Sequence, residues 1–272
     1  MKIHSGSLLV NGALALLSAL TLFPLLWMLS ASFMASGEAS TFPPPLLPAA
    51  PTLEHYRALF GTQGLGRQAL NSLLVSVAAT LLSLAFTLTA GYAFAKLKFA
   101  GRERIFRILL GAMVIPGQVA MLPLFLMLKH MGLVNTFAGA LVPWLASVFG
   151  IFLVRQYAQS LPEDLLEAAR LDGASEGQIF WRIVLPLLKP IVVTLAVLVF
   201  LGSWNVFMWP LIVLSERDLQ TLPVALAGLS REHVQDTELM MAGSVLTVLP
   251  VLLLFLVLQR HYMQGLMMGS VK

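Results

Sequence analysis

Six long apolar runs, separated by shorter polar segments, dominate the hydrophobic pattern of the chain. Each run is close to the roughly 20 residues that a helix needs to cross the hydrocarbon core of a bilayer. None has the two-residue alternation of a barrel strand, and only helices or closed barrels satisfy the backbone in lipid. The pattern predicts an all-α, polytopic membrane protein with six transmembrane helices, at about residues 8–31, 71–95, 105–128, 134–154, 190–213 and 241–259.

Two features of this division have alternatives. The first run could be a signal peptide, because Lys2 and the segment SASFMA (Ser30–Ala35) resemble the flanks of a cleaved leader. Its apolar core is longer than the roughly 7–15 residues of a signal peptide, which favours an uncleaved span. Only Lys129–Leu133 separates the third and fourth runs, which predicts a tight outer turn and leaves their boundary open.

Composition excludes an ordinary soluble domain. The chain is 58% hydrophobic and 11% charged, whereas about a quarter of the residues of a globular domain are charged. The net charge of +4 could suggest a nucleic-acid partner, but the basic residues lie between apolar runs, so membrane topology explains them and no nucleic acid is expected. The chain has no cysteine, which excludes disulfides and thiol chemistry.

The basic residues also predict the orientation, since cytoplasmic flanks hold an excess of Lys and Arg. With the N-terminus inside, twelve of them are cytoplasmic and five are external, so both termini are expected in the cytoplasm. The twelve are Lys2, Lys96, Lys98, Arg102, Arg104, Arg107, Arg155, Arg170, Arg182, Lys189, Arg260 and Lys272, and the five are Arg57, Arg67, Lys129, Arg217 and Arg231.

The outer segments are then residues 32–70 and 214–240. The first contains the proline-rich FPPPLLPAAP (Phe42–Pro51), which predicts an extended piece. The following PTLEHYRALF predicts a short amphipathic helix on the membrane surface. A linker and a docking surface are equally compatible with this segment.

A polar segment between the fourth and fifth runs has the pattern of two short helices. Ser160 and Glu163 have capping-box spacing and predict a helix from about Leu161 to the turn at Asp172 and Gly173. Ser175 and Gln178 repeat that spacing before a second helix, GQIFWRIVLP, which Pro186 and Pro190 loosen into the fifth span.

The charge of this segment alone favours a solvated connector. However, Ile179, Phe180, Trp181 and Ile183 are too apolar for one, which predicts that they pack on another surface.

The same residues resemble the EAA signature of permease subunits of ABC importers. The matching positions are Glu167, Ala168, Ala169, Asp172, Gly173, Ala174, Phe180, Ile183, Leu185 and Pro186. Further segments are similar to the carbohydrate-uptake branch, in particular to the maltose-transporter-type second permease subunit: NSLLVS, AGYAFAKLKFAGR, GSWNVFMWPLIVL and QGLMMGSVK. The resemblance implies the type I ABC importer permease fold, with one transmembrane domain over residues 1–272 and a cytoplasmic coupling helix pair at 158–189.

The resemblance also implies how transport through such a chain is coupled to ATP hydrolysis. The coupling loop would dock on a separate ATPase through Glu167, Ala168, Ala169, Asp172, Gly173, Ala174, Phe180 and Pro186. Glu167 would pair with a basic residue of that ATPase, Gly173 would permit the turn, and the two alanines would keep the contact close.

The implied partners are a second homologous permease, an ATPase dimer that binds ATP and Mg, membrane lipid, and a periplasmic or lipid-anchored binding protein. The location would be the bacterial inner (plasma) membrane. By the same analogy, the segment Leu226–Met241 would contact the binding protein, although a solvated loop is equally compatible with it.

The chain lacks signs of catalysis or of a cofactor of its own. It has no G-x-x-x-x-G-K-[ST] loop, so ATP hydrolysis is expected in a partner and this chain is not expected to be an enzyme. Its five histidines have no metal-site spacing and are expected to be interfacial or solvated: His4, His55, His130, His233 and His261. No span centre holds an evident Asp or Glu, which argues against an ion-coupled secondary transporter. That alternative and a non-transporting scaffold both leave the EAA segment unexplained.

Candidate residues of a substrate path are uncharged. Asn205, with Trp204 and Trp209, could offer an amide and ring faces to a sugar or polyol. Helix–helix bonding of Asn205 and an aromatic-belt position for Trp209 are the alternatives. Gln118, beside Pro116 and Gly117, marks a predicted kink.

Asn71 and Ser72 could cap the second span.

Taken together, the residues and the resemblance that they carry predict a permease subunit of an ATP-driven sugar or polyol importer, without indicating which sugar.

Overall fold

Helices are the regular secondary structure of the part of the chain that the structure describes. The computed structural model describes the backbone of residues 5–232 and 236–268, and the side chains of residues 10–229 and 236–257; these residues include no β-strand. The helices are α1 (Ser5–Ala31), α2 (Glu54–Phe60), α3 (Leu65–Lys96), α4 (Arg102–Ala112), α5 (Gly117–His130), α6 (Phe137–Leu141), α7 (Val148–Gln159), α8 (Glu163–Leu171), α9 (Glu176–Ile179), α10 (Leu185–Leu187), α11 (Lys189–Asn205), α12 (Met208–Val213), α13 (Leu222–Glu232) and α14 (Thr237–Met268). Short 3₁₀ turns cover Val142–Trp144 and Arg217–Leu219, and a π-helical turn covers Phe180–Val184.

Three described helices are individually long and apolar enough to cross a membrane, at Val10–Ala31, Leu65–Lys96 and Thr237–Val257. Three further candidates are pairs of helices bent at a short break. The predicted number of six spans is therefore reached when each bent pair counts as one crossing. The pairs are Arg102–Ala112 with Gly117–His130, Phe137–Trp144 with Val148–Gln159, and Glu176–Leu187 with Lys189–Asn205.

The first of these bends coincides with the predicted kink. The two helices of the pair differ in direction by 102°, and Pro116 lies at the break as the residue before α5. Proline lacks a backbone N–H and disfavours a helical conformation at the residue before it. The expectation of a kink beside Gly117 is confirmed.

The second predicted span begins earlier than its apolar pattern indicates. Its helix α3 starts at Leu65, so Asn71 lies inside the helix and the interpretation of Asn71 and Ser72 as its cap is wrong. The Asn71 amide nitrogen instead donates to the carbonyl oxygens of Asp218, at 2.8 Å, and Gln220, at 3.0 Å. A buried side-chain amide thus holds the loop that contains the Arg217–Leu219 turn.

The chain divides into two compact units, of which the first comprises residues 1–68 and 222–252. The predicted short helix after the proline-rich piece is present as α2, but its His55 is only 4% exposed. The His55 Nε2 donates to the carbonyl oxygen of Met34, at 3.0 Å, so the expectation of a solvated or interfacial histidine is wrong at this position. His130 is exposed, while His4, His233 and His261 lie outside the described side chains.

The candidate contact segment Leu226–Met241 also belongs to this unit. Its residues 230–235 fall outside the described side chains. At its far end Glu238 is fully buried and accepts a hydrogen bond from the backbone nitrogen of Ala39.

The second unit comprises residues 69–221 and 253–272, and a core of this unit joins α3, α7, α8 and the segment from α9 to α11. Helices α3 and α7 approach closely at Gly91. A Cβ on Gly91 would lie 2.5 Å from the Cβ of Val154, so only glycine permits this approach. Small residues at a close crossing are typical of helix packing in membranes.

Candidate coupling site

The helix α8 opens the segment in which the EAA signature lies. The predicted capping box at its start does not form. The helix begins at Glu163 with Pro162 before it, and the Ser160 hydroxyl donates to the carbonyl oxygen of Tyr157, at 2.8 Å. The Glu163 carboxylate is held elsewhere, by Lys96 at 2.9 Å, because an ion pair with a buried ammonium is a stronger interaction than a cap hydrogen bond.

The end of α8 confirms the predicted glycine turn. Gly173 has a φ of +82°, the left-handed region that glycine adopts without steric cost. Its N–H donates to the carbonyl oxygen of Arg170, and the N–H of Ala174 donates to that of Ala169, each at 3.0 Å. This pair of bonds is a Schellman motif, which closes the last turn of the helix and fixes the direction of the following segment.

The second capping box is present as predicted. The Ser175 hydroxyl accepts from the backbone nitrogen of Gln178 at 3.3 Å, and the Gln178 side chain accepts from that of Ser175 at 2.8 Å. The start of α9 is thereby capped by side chains of its own first turn.

The residues after this cap are anchored inside the chain. Ile179 and Val184 are fully buried and Phe180 is 6% exposed. The Phe180 ring lies 5.3 Å from that of Tyr92 in α3. Ile179 and Phe180 therefore find in their own chain the surface that their apolar character requires, and the inference of an external surface is wrong for these two residues.

A second set of residues in the same segment faces outward. The side chain of Leu171 is 89% exposed and that of Trp181 is 66% exposed. On α8 only Leu166 is fully buried, whereas Ala169 is partly buried against the core. Of the other signature residues Ala174, Ile183 and Leu185 are partly buried, and the exposed ones are Glu167, Ala168, Asp172, Gly173 and Pro186.

Charged residues fasten the base of the segment to α3. The Lys96 side chain is only 5% exposed. Its ammonium donates to the carbonyl oxygen of Leu161 at 2.8 Å and to the Glu163 carboxylate at 2.9 Å. The hydrogen bond from Lys96 holds the pKa of Glu163 below its usual value.

Two further hydrogen bonds connect α9 to α8 and α3. The Glu176 carboxylate accepts from the Arg170 guanidinium and from the Tyr92 hydroxyl, each at 2.8 Å. Arg170 also lies 3.5 Å from Glu163. This network leaves no signal in local sequence spacing, because its pairs cross between helices; the segment AGYAFAKLKFAGR nevertheless contains two of its members, Tyr92 and Lys96.

These charges line a cleft of about 640 Å³ beside the coupling segment. Glu167, at the start of the signature, lines it together with Lys96, Lys98, Arg102, Glu163, Arg170 and Glu176. Acidic and basic groups are mixed in this lining, and Lys96 with Glu163 and Arg170 with Glu176 already pair with each other.

The substrate-path candidates at the end of α11 differ in accessibility. Trp204 is only 3% exposed and stacks on Phe200 with a ring-centroid distance of 6.0 Å. Asn205 is exposed, and its amide nitrogen donates to the carbonyl oxygen of Leu201 at 2.9 Å. Its amide oxygen is thus available to a ligand, whereas the indole faces of Trp204 are covered.

The two other candidates lie on different helices. Trp209 is buried and donates to the carbonyl oxygen of Gly139 at 3.2 Å, so its assignment to a lipid-facing aromatic belt is wrong. Gln118 is exposed in the first turn of α5. Among the described residues, no three His, Asp or Glu side chains are grouped as metal ligands.

Comparisons with known proteins identify the family. The family described as "Binding-protein-dependent transport system inner membrane component" matches residues 83–267. The chain is 38% identical to the arabinooligosaccharides transport system permease protein AraQ of Halalkalibacterium halodurans, over 98% of this chain and 96% of that protein. It is 33% identical to the lactose transport system permease protein LacG of Rhizobium radiobacter, over 95% of this chain and 94% of that protein.

A solved structure is similar over the whole chain. The crystal structure of a bacterial ABC transporter involved in the import of the acidic polysaccharide alginate aligns with a TM-score of 0.85 at 25% identity, covering 96% of this chain and 99% of that chain. The family match includes the entire coupling segment, in agreement with the resemblance carried by Glu167–Pro186. The chain belongs to the inner-membrane components of binding-protein-dependent transport systems, the permease subunits of ABC importers.

Proposed function

We propose that this chain forms part of the path for a sugar or polyol in an ATP-driven importer, and that the segment 158–189 receives the drive from a separate ATPase. The sugar class is supported by the relatives, whose names specify arabinooligosaccharides and lactose, and by the similar alginate importer. The partners would be a second permease, an ATPase dimer that binds ATP and Mg, and a binding protein outside the membrane. The bias of basic residues supports a cytoplasmic position for the segment and for both termini.

The observation that carries the proposal is the division of the segment into an anchored and an outward set of residues. Leu166, Ile179 and Phe180 are buried in the core of the second unit, whereas Leu171 is 89% exposed. A rigid pair of short helices that is fixed to α3 and α7 transmits a displacement, because its cap and its Schellman turn leave little internal freedom.

The outward set has the composition of a docking contact. Leu171 and Trp181 would be its apolar anchors, and aromatic residues are enriched at such anchors. Glu167 would meet a basic residue of the ATPase, where desolvation makes a charge pair stronger than on a free surface. Ala168 is small and permits close approach, while Asp172, Gly173 and Ala174 form the turn between the helices. Phe180 would act indirectly, by holding the segment to α3, and Pro186 would set its exit.

The proposal is tested with Leu171→Ser in the complete transporter reconstituted in proteoliposomes. Burying a leucine side chain is worth about 1.5–3 kcal/mol, so loss of this contact should weaken docking of the ATPase by roughly 10- to 100-fold. Uptake and ATP hydrolysis are measured together with arabinooligosaccharides, lactose and alginate oligosaccharides, each with the loaded binding protein. We expect unchanged insertion and a fall in ATPase stimulation by the loaded binding protein.

A charge-reversal pair supplies the matched control. Glu167→Lys and Asp164→Lys make the same change on exposed positions of one helix, but only Glu167 belongs to the signature. We expect uncoupling for Glu167→Lys and nearly normal coupling for Asp164→Lys. Wild-type stimulation of ATP hydrolysis in both Leu171→Ser and Glu167→Lys would refute the proposed coupling role.

A further inference from the structure

The fourth apolar run is interrupted near its middle. Helix α6 and the 3₁₀ turn Val142–Trp144 precede residues 145–147, which are not helical, and α7 follows with a bend of 44°. The run extends over about 134–154, so the break lies near the midplane of the predicted bilayer. Non-helical backbone at this depth is tolerated only where protein covers it or where it lines a water-filled cavity.

A cavity of about 210 Å³ lies beside this break, within the second unit. Its walls also contain residues near the middle of two other predicted spans, Ser83 of α3 and Val199 of α11. In secondary transporters, substrate sites commonly lie at the midplane beside interrupted helices, because the break leaves backbone groups for a ligand; the same physical reason applies to a break in this chain. The residues that line the cavity are Ser83, Pro143, Trp144, Ala146, Ser147, Phe149, Leu195, Leu198 and Val199.

Trp144 gives this cavity an aromatic wall that is partly exposed. Its indole lies against α11 at Gly202, where an added Cβ would be 3.1 Å from the ring. Glycine at this position lets the indole approach the helix backbone and fixes its place. Trp144 therefore differs from Trp204, whose ring is buried.

Two hydroxyl groups stand beside the aromatic wall. The Ser83 side chain is only 2% exposed and borders the cavity. The Ser147 hydroxyl accepts from the backbone nitrogen of Gly150 at 3.0 Å and keeps its own proton free to donate. Hydroxyl groups at membrane depth need partners, because an unpaired polar group in an apolar surrounding costs free energy.

We propose that this cavity binds one ring of the transported carbohydrate, with Trp144 against its apolar face and with Ser83 and Ser147 on its hydroxyls. A sugar ring offers these two kinds of surface together, which a lipid tail or an inorganic ion does not. The volume is below the roughly 300–1,000 Å³ of pockets for drug-sized ligands, so a single ring fits and the rest of the chain would extend beyond it. The inference rests on the proposed function and names a subsite of the path.

Thiol labelling tests the site directly, because the natural chain has no cysteine. Ala146→Cys places one thiol on the exposed wall, and Ala140→Cys, at a position only 1% exposed in the same run, is the matched control. The complete transporter is treated with a water-soluble methanethiosulfonate, without sugar, with each of the three oligosaccharide classes above, and with ATP alone. The sample with ATP but no sugar is a control: it shows how much the labelling rate falls when the path closes, as distinct from when a bound sugar shields the thiol.

We expect the reagent to label the Ala146→Cys thiol. The labelling rate should be at least fivefold lower when the transported sugar is present than when only ATP is present. The Ala140→Cys thiol should stay unlabelled. Absence of labelling at position 146 would overturn the proposal, since the cavity would not be open to water. Labelling that the transported sugar does not slow would overturn it as well.

Trp144→Ala and Trp144→Phe add a functional readout. Stacking on an aromatic side chain is worth about 0.5–1.5 kcal/mol, which corresponds to roughly a two- to tenfold lower uptake for Trp144→Ala and a smaller loss for Trp144→Phe. Equal uptake by wild type and Trp144→Ala would contradict the site alone and leave the importer role intact. Failure of the wild-type complex to take up any of these sugars would instead contradict the proposed function.

Discussion

The ion pair at the base of the coupling segment is the clearest point at which to perturb it. Glu163→Gln removes the carboxylate charge and nearly preserves the side-chain size, while Lys96 keeps its bond to Leu161. The Lys96 side chain is 5% exposed and that of Glu163 is 48% exposed. Breaking a fully buried pair costs about 3–5 kcal/mol, and exposure of the carboxylate reduces this by screening, so we expect a loss of about 1–2 kcal/mol.

Thermal unfolding of the full chain in detergent measures this loss. A change of 1 kcal/mol shifts the midpoint of a 150–250-residue protein by about 2–4 °C, so the expected shift is roughly 2–8 °C. Asp164→Asn is the matched control, because Asp164 is exposed in the first turn of the same helix and has no ion pair within the described residues. Its shift should correspond to less than about 0.5 kcal/mol.

The ion pair also predicts how the unfolding midpoint changes with pH. The pKa of Glu163 is lowered by Lys96, so its contribution to stability is present above the usual carboxyl pKa and is lost as pH falls through the lowered value. Wild type should therefore lose this increment on acidification, whereas Glu163→Gln has none to lose. Equal midpoints for Glu163→Gln and Asp164→Asn, at neutral pH and through the acid range, would refute the reasoning.

Two other predictions concern packing and capping. Gly91→Ala should destabilise the chain by about 1–3 kcal/mol, because the added Cβ would overlap Val154. Gly111→Ala is the control: no described atom beyond its own turn of helix lies within 4 Å of its added Cβ, so it should not lower the unfolding midpoint. The same unfolding assay compares the two variants, and similar shifts would contradict the close crossing at Gly91. Ser175→Ala should cost about 1 kcal/mol by removing the capping box and should increase hydrogen exchange in α9, while Ser175→Thr restores protection; unchanged exchange in the alanine variant would show that the box contributes nothing.

The apolar pattern predicted the helical class and the approximate spans because length and hydropathy are local properties of a sequence. It did not predict the break inside the fourth run, although Pro116 and Gly117 indicated the kink in the third. The interruption at residues 145–147 depends on partners far along the chain, such as the Thr87 hydroxyl that accepts from the backbone nitrogen of Ser147. A run of suitable composition therefore indicates a membrane segment without indicating that it is one straight helix.

The two capping boxes show the same limit at the candidate site. Ser160 with Glu163 and Ser175 with Gln178 have identical spacing, but only the second pair forms its box. The difference is Lys96, 67 residues before Glu163, which takes the carboxylate. The resemblance pointed to the candidate coupling segment, while the division of its residues between buried and exposed positions required the structure.

That division has a consequence for modularity. Ile179 and Phe180 anchor the segment in the core of its own subunit, whereas Leu171 and Trp181 are exposed and do not belong to that core. Under the proposed coupling role, in which Leu171 and Trp181 dock the ATPase, a transporter that exchanges its ATPase, in evolution or in a designed chimera, would need to change only the outward residues. The helices of the membrane domain would retain their packing, so the choice of motor and the stability of the permease can vary independently.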